Sequence, residues 1–141
     1  MRFKTAVPRL TSPTEGKFLQ AYEEGRVFKV TDSVSGCIVG MTYWEVTPNN
    51  TMYFGPFAVS PAFQGRKVGR LMLGEVERLA RQRGLRGIDI KVIDLRTDLV
   101  AMYTAMGYAR TGSSEYPPEA ACKLTRPVQF VDMRRVLHYE R

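Results

Sequence analysis

The sequence predicts a mixed α/β fold, built as one domain over residues 1–141 with a short tail at 138–141. Three observations lead there. Apolar residues make up 44% of the 141, which suits a single core of ordinary size. The hydrophobic period changes repeatedly along the chain, giving the order helix, strands, helix, strand, helix, strands. Residues 51–59, 66–83 and 87–93 form a strand–helix–strand unit with the length of a crossover between neighbouring parallel strands.

Taken in order, Ser12-Pro13-Thr14-Glu15 reads as a helix start, with Ser12 as N-cap, Pro13 at the first helical position and Glu15 as capping-box partner. That helix runs to about Glu24 and stops at Gly25. Residues 27–31 and 37–46 form a hairpin across a turn at 32–36. Pro48-Asn49-Asn50 turns the chain into a strand over 51–59, ended by Val59-Ser60-Pro61. After the Gln64-Gly65 turn the spacing becomes helical from Arg66, with Val68, Leu71, Met72, Val76 and Leu79 on one face and Gly84 as the stop. Ile88, Ile90 and Val92 alternate with Asp89 and Lys91, which predicts a strand over 87–93. Thr97 caps a short helix over 98–106 that ends at Gly107. Late strands follow at 108–111 and 128–134, with an irregular loop at 112–127 between them.

The composition excludes several kinds of chemistry. The only histidine, His138, sits at the end of the chain, so no Ser–His–Asp triad, Cys–His pair or multi-histidine metal site is available. Cys37 and Cys122 lack metal-ligand spacing and read as free thiols of a cytoplasmic protein. The sequence gives no sign of a bound metal. No apolar run has the length of a membrane span, and no apolar segment follows the basic N-terminus as a secretory signal requires. Catalysis therefore falls to carboxylates, tyrosines, backbone amides or a cosubstrate.

The formal net charge is +7, from 21 Lys and Arg against 14 Asp and Glu. Such an excess suits a polyanionic partner. Much of it gathers in Arg66, Lys67, Arg70, Arg78, Arg81, Arg83 and Arg86. Charge alone fits a solvated helix face as well as an anion site. The turn at Gln64 adds the deciding feature. A helix N-terminus presents unpaired N–H groups and a partial positive charge. Gly65 and Gly69 have no side chain to keep a ligand from that backbone, and Arg66, Lys67 and Arg70 surround it with cations. Generic nucleic acid is the weaker partner, since no helix-turn-helix, zinc or aromatic RNA-platform signature is present.

Val59-Ser60-Pro61-Ala62-Phe63-Gln64-Gly65-Arg66-Lys67-Val68-Gly69-Arg70-Leu71 resembles the acetyl-coenzyme A loop of the GCN5-related N-acetyltransferases. That pattern is Gln or Arg, two residues, Gly, one residue, then Gly or Ala. Gln64 and Gly69 match its ends, while Lys67 stands where the family usually has glycine. A lysine fits there if its φ is negative and its side chain points to solvent. Residues 94–108 resemble the family's later segment, in which a helical tyrosine lies four residues before a Gly-aromatic pair. Tyr103 and Gly107-Tyr108 match it, and Arg96 stands near the place of the family's asparagine.

The resemblance, over roughly residues 11–137, implies a mainly antiparallel twisted sheet with a splayed parallel central pair and flanking helices. Only ten residues precede the first helix, so the chain reads as N-terminally shortened, with residues 1–10 as a possible remnant of a first strand. An uncovered sheet edge would favour a homodimer. The implied activity is transfer of an acetyl group from acetyl-coenzyme A to a primary amine of unspecified identity, by direct attack. The diphosphate would lie on amides of Gln64, Gly65, Arg66, Lys67, Val68, Gly69 and Arg70. The strand carrying Phe57, Ala58 and Val59 would bond the pantetheine, with an N–H near Ala58 or Val59 polarising the thioester carbonyl. Tyr103 would protonate the departing thiolate. Tyr53 occupies the place of the glutamate base of some members, which leaves Glu45, Asp89 or Asp94 acting through water, or water alone. Glu115, Tyr116 and Glu119 are acidic or polar loop residues that either attract the amine or are merely solvated. The alternative is a module that keeps the fold and the cofactor without turnover.

Overall fold

The computed structural model describes residues 13–65, 67–115 and 128–139. Among them are three α-helices, one 3-10 turn and seven strands. These are α1 (Pro13–Glu23), β1 (Val27–Thr31), β2 (Ile38–Val46), β3 (Thr51–Phe54), β4 (Ala58–Val59), the 3-10 turn Pro61–Phe63, α2 (Val68–Gln82), β5 (Gly87–Ile93), α3 (Thr97–Ala105), β6 (Ala109–Glu115) and β7 (Gln129–Val136). Ser12 as a cap, the N-terminal strand remnant and residues 116–127 lie outside the described residues.

All three helices stop in the same way. After α1, Gly25 (φ 75°) donates to Tyr22 and Arg26 to Ala21. After α2, Gly84 (φ 67°) donates to Arg81 and Leu85 to Ala80. After α3, Gly107 (φ 96°) donates to Thr104 and Tyr108 to Tyr103. Each is the pair of bonds by which a left-handed glycine closes the last helical carbonyls. The three glycine stops expected from the sequence are therefore stops for this reason.

The chain divides into two compact units, residues 1–45 with 54–79, and residues 46–53 with 80–141. In the first, β1 pairs antiparallel with β2 from Val27↔Tyr43 to Thr31↔Ile38, and β2 pairs antiparallel with β4 through Gly40↔Val59 and Met41↔Ala58. Val39, Val68 and Met72 form the buried centre, with Phe28, Val30, Phe57, Val59 and Phe63 packed against it. Burying an aliphatic side chain of this size contributes about 1.5–3 kcal/mol.

In the second unit β3 runs parallel to β5 through Thr51↔Gly87, Met52↔Ile88 and Tyr53↔Asp89. β5 pairs antiparallel with β7 along its whole length, and β7 with β6. Ile88, Ile90 and Val92 are buried, as their alternation predicts. On the other side of the pleat Asp89 faces Arg134, and Lys91 faces Asp132, in cross-strand ion pairs.

Several boundaries differ from the expectation. The strand expected over 51–59 breaks at Gly55-Pro56 into β3 and β4, because proline has no N–H for a ladder. Gly55 also lies where any Cβ would overlap the ring of Tyr43. Leu71 is 63% exposed, so the buried stripe of α2 is Val68, Met72, Val76 and Ala80, spaced by four. Arg96, not Thr97, takes the N-cap of α3, its carbonyl accepting from Leu99 and Val100. β6 continues into the segment expected as loop.

Candidate functional site

The approach to α2 is built from β4. Ser60 N–H donates to Val39 C=O at 2.8 Å, so Ser60 and Val39 form a hydrogen-bonded pair. Antiparallel pairs alternate between bonded and non-bonded. Gly40↔Val59 is then a non-bonded pair and Met41↔Ala58 a bonded one. The Ala58 N–H is spent on β2, while Val59 turns its own N–H and C=O to the opposite edge. The side-chain amide of Gln64 reaches the Val59 carbonyl from that edge at 3.5 Å, a long contact. Of the two residues expected to offer an amide, Val59 is the one that can.

Gln64 ends the 3-10 turn in extended conformation, and Gly65 follows in the left-handed region at φ 80°. Arg66 is outside the described residues. Lys67 is exposed and has φ 64°, so the condition of a negative φ is not met. This is the region a glycine enters at no steric cost. α2 then begins at Val68, which is buried, and its first recorded backbone bond at this end runs from Leu71 N–H to Lys67 C=O at 3.2 Å. Among the described residues the amides of Lys67, Val68 and Gly69 have no hydrogen-bond partner. A Cβ built on Gly65 or Gly69 meets nothing within 4 Å, so both glycines open onto free space. Arg70 is exposed beside them. A run of unspent donors, a positive dipole end and mobile cations together form an arrangement that accepts an anion.

Gly40 holds this helix start against β2. A Cβ there would stand 2.9 Å from Met72 Sδ and 2.9 Å from Val68 Cγ1. Phe57 stacks on Phe54 at 4.7 Å and packs against the core, so its side chain is structural and only its backbone is open to another role.

In the second unit Tyr103 is half-buried on α3. Its ring meets that of Tyr108 edge to face at 5.3 Å. Burial raises its phenol pKa, which keeps it protonated at neutral pH. Among the carboxylates considered as bases, Asp89 is held by the Arg134 guanidinium and the Thr51 hydroxyl. Glu45 is exposed. Asp94 Oδ1 is buried and without a hydrogen-bond partner. Glu115 is exposed on β6, while Tyr116 and Glu119 lie outside the described residues. No group of three or more metal-ligating side chains occurs among the described residues, and no helix among them is long and apolar enough to cross a membrane. The left-handed Lys67 and the partition of amides between Ala58 and Val59 were missed in the sequence; the second was accessible only through the register.

Three solved structures show how widely the fold is shared. The chain superposes on the ribosomal-protein-S18-alanine N-acetyltransferase of Escherichia coli with TM-score 0.71, at 17% identity over 90% of this chain and 79% of that one. An IAA acetyltransferase from Bacillus cereus gives TM-score 0.72, at 17% identity over 89% and 86%. A protein assigned as a streptothricin acetyltransferase from Bacillus anthracis, solved with acetyl coenzyme A, gives TM-score 0.65 at 13% identity over 79% of this chain. The chain spans 62% of the length of that last protein. No curated protein sequence matches this one. At such identities the likeness shows the fold, mixed α/β with a parallel pair in a mainly antiparallel arrangement. The sequence itself goes further, since the model of the acetyltransferase (GNAT) family matches residues 3–108, both motifs included. The chain belongs to the acetyltransferase (GNAT) family.

Proposed function

We propose that this protein is an acetyl-coenzyme A-dependent N-acetyltransferase that acetylates a primary amine by direct attack in a ternary complex. The observation that carries the proposal is the start of α2, where the amides of Lys67, Val68 and Gly69 have no partner among the described residues and Gly65 and Gly69 leave their approach open. A diphosphate satisfies such donors. The Bacillus anthracis relative, solved with acetyl coenzyme A, supports the choice of cosubstrate.

In this mechanism the neutral amine nitrogen bonds to the thioester carbonyl carbon. Charge develops on the carbonyl oxygen, and the Val59 N–H, turned away from β2, stabilises it. The carbon–sulfur bond then breaks. The sulfur takes a proton from Tyr103, whose burial keeps the phenol protonated until it is needed. The amine proton leaves to water. Positioning of the two substrates supplies the largest share of the rate. A cytoplasmic location belongs to the same proposal; among the described residues the Cys37 thiol is exposed and unpaired. A homodimer belongs to the same proposal and is read by sedimentation.

The test is calorimetric titration with acetyl-coenzyme A, followed by thiol release against a panel of amino acids, polyamines and peptide N-termini. Micromolar binding and amine-dependent thiol release are expected. Binding without release on any amine leaves a cofactor-binding module in place of the enzyme, and absence of binding removes both.

A further inference from the structure

Among the described strands β6 pairs with β7 alone, and all of its residues but Ser114 are exposed. The register shows which of its backbone groups face the open edge. Asp94 N–H donates to Gln129 C=O and Leu137 N–H to Arg86 C=O, so Asp94–Gln129 and Arg86–Leu137 are hydrogen-bonded pairs of the β5–β7 ladder. Bonded and non-bonded pairs alternate. Phe130, Asp132 and Arg134 therefore turn their N–H and C=O toward β6, where Ser114, Gly112 and Ala109 meet them. Arg110, Ser113 and Glu115 lie opposite Met133, Val131 and Gln129, which are spent on β5, and so point their own N–H and C=O outward. A bulge at Thr111, whose hydroxyl donates to the Asp132 carbonyl at 3.3 Å, interrupts the ladder. It brings Arg110 onto the same face as Ser113 and Glu115, since Met133, Val131 and Gln129 alternate along one face of β7. Arg110 and Glu115 each stand two ladder positions from Ser113. Neither side chain has an ion-pair or hydrogen-bond partner among the described residues, whereas Asp89, Lys91, Asp132 and Arg134 on the strands beside them pair with one another.

We propose that β6 is the interface of a homodimer, in which a second copy of this chain adds its own β6 antiparallel across a two-fold axis at Ser113. The proposal rests on the homodimer offered above, whose interface it names, and not on the acetyl-coenzyme A site. In this register Ser113 meets Ser113, Gly112 meets Ser114, and Arg110 of each copy lies opposite Glu115 of the other. The three positions with outward N–H and C=O groups become the bonded pairs, and two ion pairs form across the junction. A two-fold axis at Arg110 or at Glu115 would oppose like charges instead. Without the bulge Arg110 and Glu115 would fall on opposite faces of the sheet and could not meet. The edge is thus self-complementary in charge, as an isologous contact requires. One short strand from each copy is a small interface, so the association is weak and sensitive to salt.

The experiment is sedimentation equilibrium of the full chain over a range of protein concentrations. It compares wild type, Arg110→Glu and Glu115→Arg, with the two variants also mixed in equal amounts. The wild-type mass is expected to rise from 16.0 kDa toward twice that. Each single change opposes like charges at both ends of the pairing and is expected to weaken association about 10-fold or more at low salt. The mixture is expected to regain a dimer, because two glutamates on one copy then face two arginines on the other. Ser113→Pro, which removes an N–H that β7 does not use, should abolish the dimer. A wild type that stays monomeric removes the homodimer and this interface together. A dimer that the single changes leave intact, or variants that fail to pair when mixed, overturns the interface alone.

Discussion

Tyr108 donates its backbone N–H to the carbonyl of Tyr103 at 3.0 Å, and the rings of the same two residues meet edge to face at 5.3 Å. The two contacts have one origin. When a helix closes on a left-handed glycine, the residue after it bonds back five positions and the two side chains come together. The spacing of Tyr103, Gly107 and Tyr108 is thus a device for fixing one ring at the end of α3. Gly107 sits at φ 96°, and a Cβ there would meet only the Arg135 side chain at 3.8 Å or more, an ordinary contact. Gly107→Ala therefore tests the backbone alone. It should cost about 1–2 kcal/mol in denaturant unfolding. It should also lower kcat, because Tyr103 loses its fixed position. A stability loss with unchanged kcat would show that Tyr103 does not need this clasp.

Gly40 carries the corresponding test in the first unit. Its missing side chain lets Val68 and Met72 pack onto β2. Alanine there meets both at 2.9 Å. Met72 can yield by changing rotamer, but Val68 is stiff and begins α2. Gly40→Ala should cost about 1–3 kcal/mol. Because the displaced residue belongs to the helix start, affinity for acetyl-coenzyme A should fall as well, measured by titration. Gly74→Ala, in open space on the same helix, serves as the control and should leave affinity unchanged.

The sequence made β5 legible because its apolar residues alternate without interruption, and alternation is what a half-buried strand needs. It made the glycine stops legible for an equally local reason. The break between β3 and β4 lay behind an apolar run that still looked like one strand, although Pro56 cannot bond a ladder. Packing adds what residue type does not show, since the ring of Tyr43 lies where a Cβ on Gly55 would stand and only glycine fits there. Leu71 fits the helical period as well as Met72 does, and only packing decides that one is exposed and the other buried. Gly65, Gly69 and Tyr103 could be picked out as candidates by type and spacing. A positive φ at Lys67 left no trace, because lysine does not advertise it.

That φ has a consequence for stability. A residue with a Cβ loses about 1–2 kcal/mol in the left-handed region. Glycine avoids this loss but gains about 0.4–1 kcal/mol of disorder in the unfolded chain. Lys67→Gly should therefore stabilise the fold by about 0.5–1 kcal/mol, seen as a raised midpoint in chemical denaturation. Lys67→Ala keeps the Cβ and should show no such gain. If glycine and alanine behave alike, the left-handed conformation is not under strain at this position.

Tyr103 offers the sharpest test of the chemistry. Thiolate is a good leaving group, so a proton donor at this step is worth the low end of the usual range for general acids, about 100-fold in kcat. Tyr103→Phe should lose that much while its Kd for acetyl-coenzyme A changes less than about 3-fold, since the ring and its contact with Tyr108 remain. The pH dependence follows from the sign of the shift. Burial raises the Tyr103 phenol above the ordinary value near 10, so the folded protein holds its proton where the unfolded chain releases it. Its contribution to stability is complete below pH 10 and declines as the pH rises through the folded-state value. Tyr43, also raised mainly by burial, adds to the same decline. Tyr103→Phe should therefore flatten the alkaline loss of stability and leave the neutral range unchanged. In the wild type the alkaline limb of kcat should fall above pH 10. A limb below that value, or a phenylalanine variant with full turnover, would assign the proton donor to another group.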